Sequence, residues 1–143
     1  MEERAAGQPR ILVPAGTDPS GVRAAVTRRL AEIRGLDDAA EPLVRRLVGS
    51  FLERSPARLE RLAEAIGRCD ATATAEAAHS LAGSAANLGA ELLAAQCTEV
   101  DEYARAGRLD LAADRLPAAR AAYAEVEPVL RGLLAAWGPG AGG

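Results

Sequence analysis

The chain contains a single histidine, His79, and it is the side chain whose type and setting best suit nucleophilic chemistry. A neutral imidazole is a competent nucleophile, and an ordinary pKa of about 6.5 leaves much of it neutral near pH 7. Read as a helix, the stretch Ala77–Ala90 places Ala75, Glu76, Ala82 and Gly83 on the side of His79. Thr72 and Ala86 lie one step further out on that side. Except for Glu76 these neighbours are small, so the imidazole stands above a low surface that another protein can approach closely. Other chemistries lack their parts. Nothing pairs His79 with a Ser or Cys nucleophile and an orienting acid, and Ser80 points off the His79 face. One histidine without clustered ligands does not make a metal site. Cys69 and Cys97 are too few, and too far from other ligand types, for a disulfide framework or a zinc site, and read as two reduced thiols.

The residues around His79 carry more than small size. His79, Leu81, Gly83, Ser84, Ala85, Asn87, Leu88 and Gly89 follow one another at a spacing that resembles the histidine-containing phosphotransfer (HPt) domain family. That family's core signature is His-x-Leu-Lys-Gly, followed by small residues and a second Gly. The likeness extends over roughly Asp37 to Leu134. It departs at Ala82, where the family usually has Lys. The resemblance implies that His79 is a phospho-acceptor. The donor would be a phospho-aspartate on a response-regulator receiver domain or a hybrid sensor histidine kinase, and another receiver's aspartate would be the acceptor. It implies a carrier without kinase activity, with no cofactor on this chain and Mg²⁺ on the partner receiver. The partner surface would comprise Gly83, Ala82, Ser84, Glu76 and Ala86. The alternative is a degenerate HPt-like helical adaptor that binds a receiver without carrying phosphate.

Two positions in this stretch bear directly on transfer. A side chain at Gly83, four residues after His79, would crowd a phosphorylated ring, whereas Gly leaves room. The competing reading of Gly83 is a tight helix–helix contact, since Gly inside a helix costs about 1 kcal/mol against Ala. Ala82 offers no charge beside the phosphate, and Glu76 adds a negative one. Without a cation such a phosphate would be less stable by about 1 kcal/mol at a solvated surface. Arg58 or Arg61 on the preceding helix are the candidates to supply one; otherwise they form a solvated face.

Composition bounds the remaining classes. The chain has 143 residues, enough for one domain with a substantial core, and its 49% hydrophobic content fits a folded protein. Aromatics are only 3%, so the core must be built from Ala, Leu and Val, a composition that favours closely packed helices. A net charge of -3 leaves no basic excess for nucleic acid. No apolar run reaches membrane-spanning length, and Met1-Glu2-Glu3-Arg4 does not begin a signal peptide. The expectation is a cytoplasmic, monomeric, free-standing protein.

The elements that position His79 are legible as helical stripes. Residues 1–17, with Gly7, Pro9, Pro14 and Gly16, read as a flexible N-terminal arm, with Ile11–Val13 tucked against the rest. Asp18-Pro19 is a helix start, and Val22, Val26, Leu30 and Ile33 recur at helical spacing as far as Gly35. Asp37-Asp38 opens a second helix with a wide stripe of Leu43, Val44, Leu47, Val48, Phe51 and Leu52. Ser55-Pro56 repeats the start signal, predicting a separate helix with Leu59, Leu62, Ala63 and Ile66 inward and Gly67 at its end. Asp70 is the expected N-cap of the His79 helix, whose inward face is Thr74, Ala78, Leu81, Ala85 and Leu88, with His79 at its edge and Gly89 as stop. Leu93, Cys97, Val100 and Ala104 mark the next helix, stopped at Gly107. The last helical region runs from Leu109 to about Ala136, with Leu116, Ala119, Tyr123, Val126, Leu130 and Leu133 inward. Pro117 and Pro128 should kink or divide it. The fold class is therefore all-α: an up-and-down antiparallel four-helix bundle, HPt-like by resemblance, with one or two extra N-terminal helices over residues 18–136 and a disordered tail at 137–143.

Overall fold

The computed structural model describes residues 19–35 and 40–137. The expected arm, the Asp18 cap, the Asp37-Asp38 start and the glycine-rich tail from Gly138 lie outside the described residues. Those described form five helices: α1 (Pro19–Arg34), α2 (Ala40–Gly67), α3 (Ala71–Asn87), α4 (Glu91–Arg105) and α5 (Leu109–Trp137). Among the described residues there is no strand, and no helix is long and apolar enough to cross a membrane.

Helices α2 to α5 form the bundle. Each packs against the next in sequence, and α5 closes the ring by returning to α2. Short turns between α3, α4 and α5 make these neighbours antiparallel. Helix α1 lies against α5 and α2, as the extra N-terminal helix of the expected architecture. It covers the end of the bundle where α3 gives way to α4. There Arg29 donates from Nε to the Asn87 carbonyl at 3.2 Å, and Arg28 faces Glu91 at 3.7 Å. Gly89 turns the chain at φ +77, and its α-carbon sits so close to α1 that a Cβ would come 2.7 Å from the Ala25 carbonyl oxygen.

The core divides into two parts. The larger joins Val26 and Leu30 of α1 to Val44, Val48, Phe51 and Leu59 of α2, Leu81 and Ala85 of α3, Leu93 and Cys97 of α4 and Val126 and Leu130 of α5. The smaller gathers Leu62, Ala78, Val100 and Ala112 at the other end of the bundle. Both inward stripes predicted for α3 and α4 are buried.

Three expectations need correction. Residues 40–67 are one helix, not two: Ser55-Pro56 lies inside α2. The apolar stripe explains this, because Phe51, Leu52, Ser55, Leu59 and Leu62 stay in phase across the proline and are all buried. Proline costs a helix interior about 3 kcal/mol, and each buried Leu returns about 1.5–3 kcal/mol. Pro56 cannot donate to the Leu52 carbonyl four residues earlier; the Tyr123 hydroxyl of α5 approaches that oxygen at 3.5 Å. By the same logic Pro117 and Pro128 do not divide α5, which runs as one helix to Trp137 with Ala119, Tyr123, Val126 and Leu130 buried in one phase. Leu43 is the third: it is 43% exposed, because the inward face of α2 is narrower than its apolar stripe. Gly67 does end α2, but the left-handed residue beyond it is Cys69, at φ 58.

Candidate functional site

Helix α3 is fixed at both ends. Asp70 caps it as expected, its carboxylate accepting from the Ala73 backbone N–H at 3.0 Å. Thr74 is buried and donates its hydroxyl to the Asp70 carbonyl at 2.7 Å. At the far end Leu88 N–H bonds back to Ala85 and Gly89 supplies the left-handed turn. Between these ends Ala78 packs into the smaller core and Leu81 into the larger. His79 thus projects from a centrally anchored stretch of helix, at the edge of its buried face and toward α4.

The His79 side chain is 75% exposed. Its Nδ1 faces Oδ2 of Asp101, on α4, at 3.3 Å. The other carboxylate oxygen accepts from Arg105 Nε at 2.6 Å, four residues on along α4. Asp101 itself is nearly enclosed, with 11% of its side chain exposed, while Arg105 stands at the surface. A carboxylate of this kind only accepts, so it favours the ring tautomer with the proton on Nδ1. Nε2 then carries the lone pair. The result is a chain of three groups, guanidinium to carboxylate to imidazole, that ends in an accessible nucleophile.

The other predicted site residues fall into two groups. Gly83, Glu76 and Ala86 share the exposed face of α3 with His79. A Cβ built on Gly83 meets nothing within 4 Å, which removes the tight-contact reading and leaves open space. Ala82 and Ser84 are half-buried on the two flanks. Ala82 packs against the larger core rather than standing free beside the ring. Ser84 lies on the α2 side, where its hydroxyl receives a hydrogen bond from Arg58 Nη1 at 2.8 Å. Five residues separate Ser84 from His79, a rotation of about 140° round the helix, so Arg58 is engaged on the flank away from Asp101. Arg61 and Arg68 border a groove with Glu76, Ala73 and Ala77, again on the α2 side.

Asp101 and Arg105 were not among the residues expected at the site. A signal for Asp101 was present: it stands four residues after Cys97 and three before Ala104, an acid within an otherwise apolar inward stripe. Such a carboxylate requires a partner. Among the described residues no group of three or more His, Cys, Asp or Glu is arranged to hold a metal ion.

The family model for the Hpt domain matches residues 46–134, from within α2 to near the end of α5. The chain belongs to the Hpt domain family. Among solved structures it is similar to histidine-containing phosphotransfer protein B (HptB) from Pseudomonas aeruginosa PAO1, with 31% identity and a TM-score of 0.68. That likeness covers 76% of this chain and 92% of the HptB chain. No curated protein sequence matches it. Hpt membership supports a phosphotransfer carrier in two-component signalling. The helical bundle and the exposed histidine on α3 fit that role.

Proposed function

We propose that His79 Nε2 is the phospho-acceptor, taking its phosphoryl group from the aspartate of a receiver domain and passing it to another receiver. The observation that carries this reading is that one histidine, on a helix of an Hpt bundle capped at both ends, faces Asp101 at Nδ1 and has 75% of its side chain exposed. In the forward step the Nε2 lone pair forms the P–N bond as the acyl-phosphate P–O bond breaks. The departing electron pair returns to the partner's aspartate, which leaves as a carboxylate. The ring acquires positive charge, and Asp101 stands beside the Nδ1 proton that shares it. Phosphoryl transfer of this kind depends on position and electrostatic support rather than on further covalent chemistry. The metal ion belongs on the receiver. Gly83 and the small residues near it would form the floor on which the receiver sits.

The test is incubation with a phosphorylated receiver, followed by detection of acid-labile, alkali-stable phosphate on this chain. Label on the wild type and none on His79→Gln is the expected result. Receiver binding without label would overturn the carrier role and leave an adaptor.

A further inference from the structure

We infer that Asp101 is a positioning residue for His79, and that Arg105 neutralises Asp101 so that a phosphoryl group on Nε2 does not face an uncompensated carboxylate. The inference rests on His79 being the acceptor, and extends that reading to two residues on a different helix.

Asp101 is nearly enclosed, and each of its oxygens has one partner: Oδ2 faces His79 Nδ1 at 3.3 Å and Oδ1 receives Arg105 Nε at 2.6 Å. A neutral imidazole can hold its proton on either nitrogen. Only with the proton on Nδ1 does it present a positive edge to the carboxylate and a lone pair at Nε2. The opposite tautomer would set two lone-pair sites against each other at Nδ1 and block the nucleophile with a proton. Asp101 therefore selects the reactive form before any partner arrives, at the cost of a negative charge close to where a phosphoryl group must reside. Glu76, exposed on the same face of α3, adds to that charge. Among the described residues Arg105 is the cation paired with Asp101, whereas Arg61 and Arg68 border the groove of Glu76 on the α2 side. Arg105 lies in the last turn of α4, where a positive charge is also favoured by the helix dipole. Its Nε geometry pins the carboxylate with one oxygen left for His79. Arg58 does not serve this purpose, being bonded to Ser84 on the far flank.

The two roles separate experimentally. The tautomer of His79 is read from ring ¹⁵N chemical shifts in the isolated protein, with no partner needed. Asp101→Asn should lower the Nδ1–H fraction and slow single-turnover transfer from a phosphorylated receiver by about fivefold to tenfold, the scale of one partly solvated charge contact. Arg105→Gln should leave the tautomer in place but shift the equilibrium from phospho-His79 toward the phospho-receiver by about threefold to tenfold. That shift should shrink in high salt, and it should be absent when Arg105→Gln is made in the Asp101→Asn background. Thermal melts confirm that each variant folds. An unchanged tautomer in folded Asp101→Asn would overturn the positioning role. An equal cost of Arg105→Gln in both backgrounds would overturn the neutralising role, since Arg105 would then act on the phosphate directly. Failure of His79 to label at all would refute the carrier reading instead, and the ¹⁵N result would still stand.

Discussion

Filling the space at Gly83 should make the protein more stable and less active. A Cβ there meets no atom within 4 Å, so Gly83→Ala introduces no clash. The residue lies inside α3, four positions from its last helical residue Asn87, where the backbone is already helical. Replacing Gly by Ala at such a site restores about 0.8–1 kcal/mol of helix propensity. With the entropy of unfolding typical of a domain this size, that raises the melting temperature by about 3–6 °C. Gly83→Leu should give a similar gain, because Leu is nearly as good a helix former as Ala. The functional effect has the opposite sign. A leucine one turn beyond His79 on the exposed face would stand between the ring and an approaching receiver, and transfer should fall by about tenfold or more for Leu and less for Ala. Denaturation curves measured beside single-turnover phosphotransfer test both halves. A clear drop in melting temperature for Gly83→Ala would show that the glycine serves a close packing contact, and would refute the reasoning. Full transfer activity in Gly83→Leu would show that the receiver does not approach over this residue.

Gly89 should behave in the opposite way: with φ +77 and a would-be Cβ 2.7 Å from the Ala25 carbonyl and 2.8 Å from Arg29 Cβ, Gly89→Ala combines backbone strain with overpacking. We expect a loss of about 2–4 kcal/mol, seen as a lower urea midpoint. A loss below about 1 kcal/mol would mean that α1 does not press on this turn. Burial pushes the Cys97 thiol up from 9.0 to about 12. Below pH 9 the thiol is protonated whether folded or unfolded, so stability is indifferent to it; above that, only the unfolded thiol ionises. Stability should therefore fall between about pH 9 and pH 12, at up to about 1.4 kcal/mol per unit. Tyr123, also pushed up by burial, adds to the slope at its upper end. Cys97→Ala should flatten the decline in urea titrations across this range, and an unchanged slope would refute the assignment. Ala82→Lys should shift the equilibrium toward phospho-His79, with Glu76→Gln doing so more weakly, and both effects should shrink with salt because exposed charges are screened over about 8 Å. The measurement is the ratio of phospho-His79 to phospho-receiver at low and high salt; an unchanged ratio in both variants would mean that the charge at His79 is already balanced.

Much of the bundle was legible because its signals are local. Asp70 announces a cap and Gly89 and Gly107 announce left-handed turns. The stripes of α3 and α4 repeat with the helical period, and each of these features stands where the sequence puts it. The misreadings share one cause. Pro56, Pro117 and Pro128 are local punctuation, but whether a helix breaks there depends on what the residues beyond can bury. Leu59 and Leu62, and likewise Tyr123, Val126 and Leu130, are held in phase by partners from distant parts of the chain. Leu43 failed for a related reason, since only the neighbours of α2 determine how wide its inward face is. At the site, His79 and Gly83 lie within four residues of each other and form a pattern. Asp101 is separated from His79 by the α3–α4 turn, and no spacing along the chain reveals that their side chains meet.

That separation also changes the significance of Ala82. Its methyl group faces the larger core, so the position beside His79 contributes to holding α3 against the bundle. A lysine there would have to run its aliphatic stem along that apolar surface to bring its ammonium to the ring. This structure instead places its charge chemistry across the helix–helix boundary. The carboxylate comes from the C-terminal half of α4 and the guanidinium from its last turn, while α3 supplies the imidazole and the open surface around it. Such a site depends on the register between α3 and α4. A shift of one helical turn, 5.4 Å along the axis, would carry Asp101 out of reach of Nδ1. The small residues Ala75, Ala78 and Ala85, buried along α3, and the capped ends of that helix therefore hold the register on which the His79–Asp101 contact depends. Enlarging one of them, as in Ala78→Leu, should disturb the His79 tautomer even where the bundle still folds.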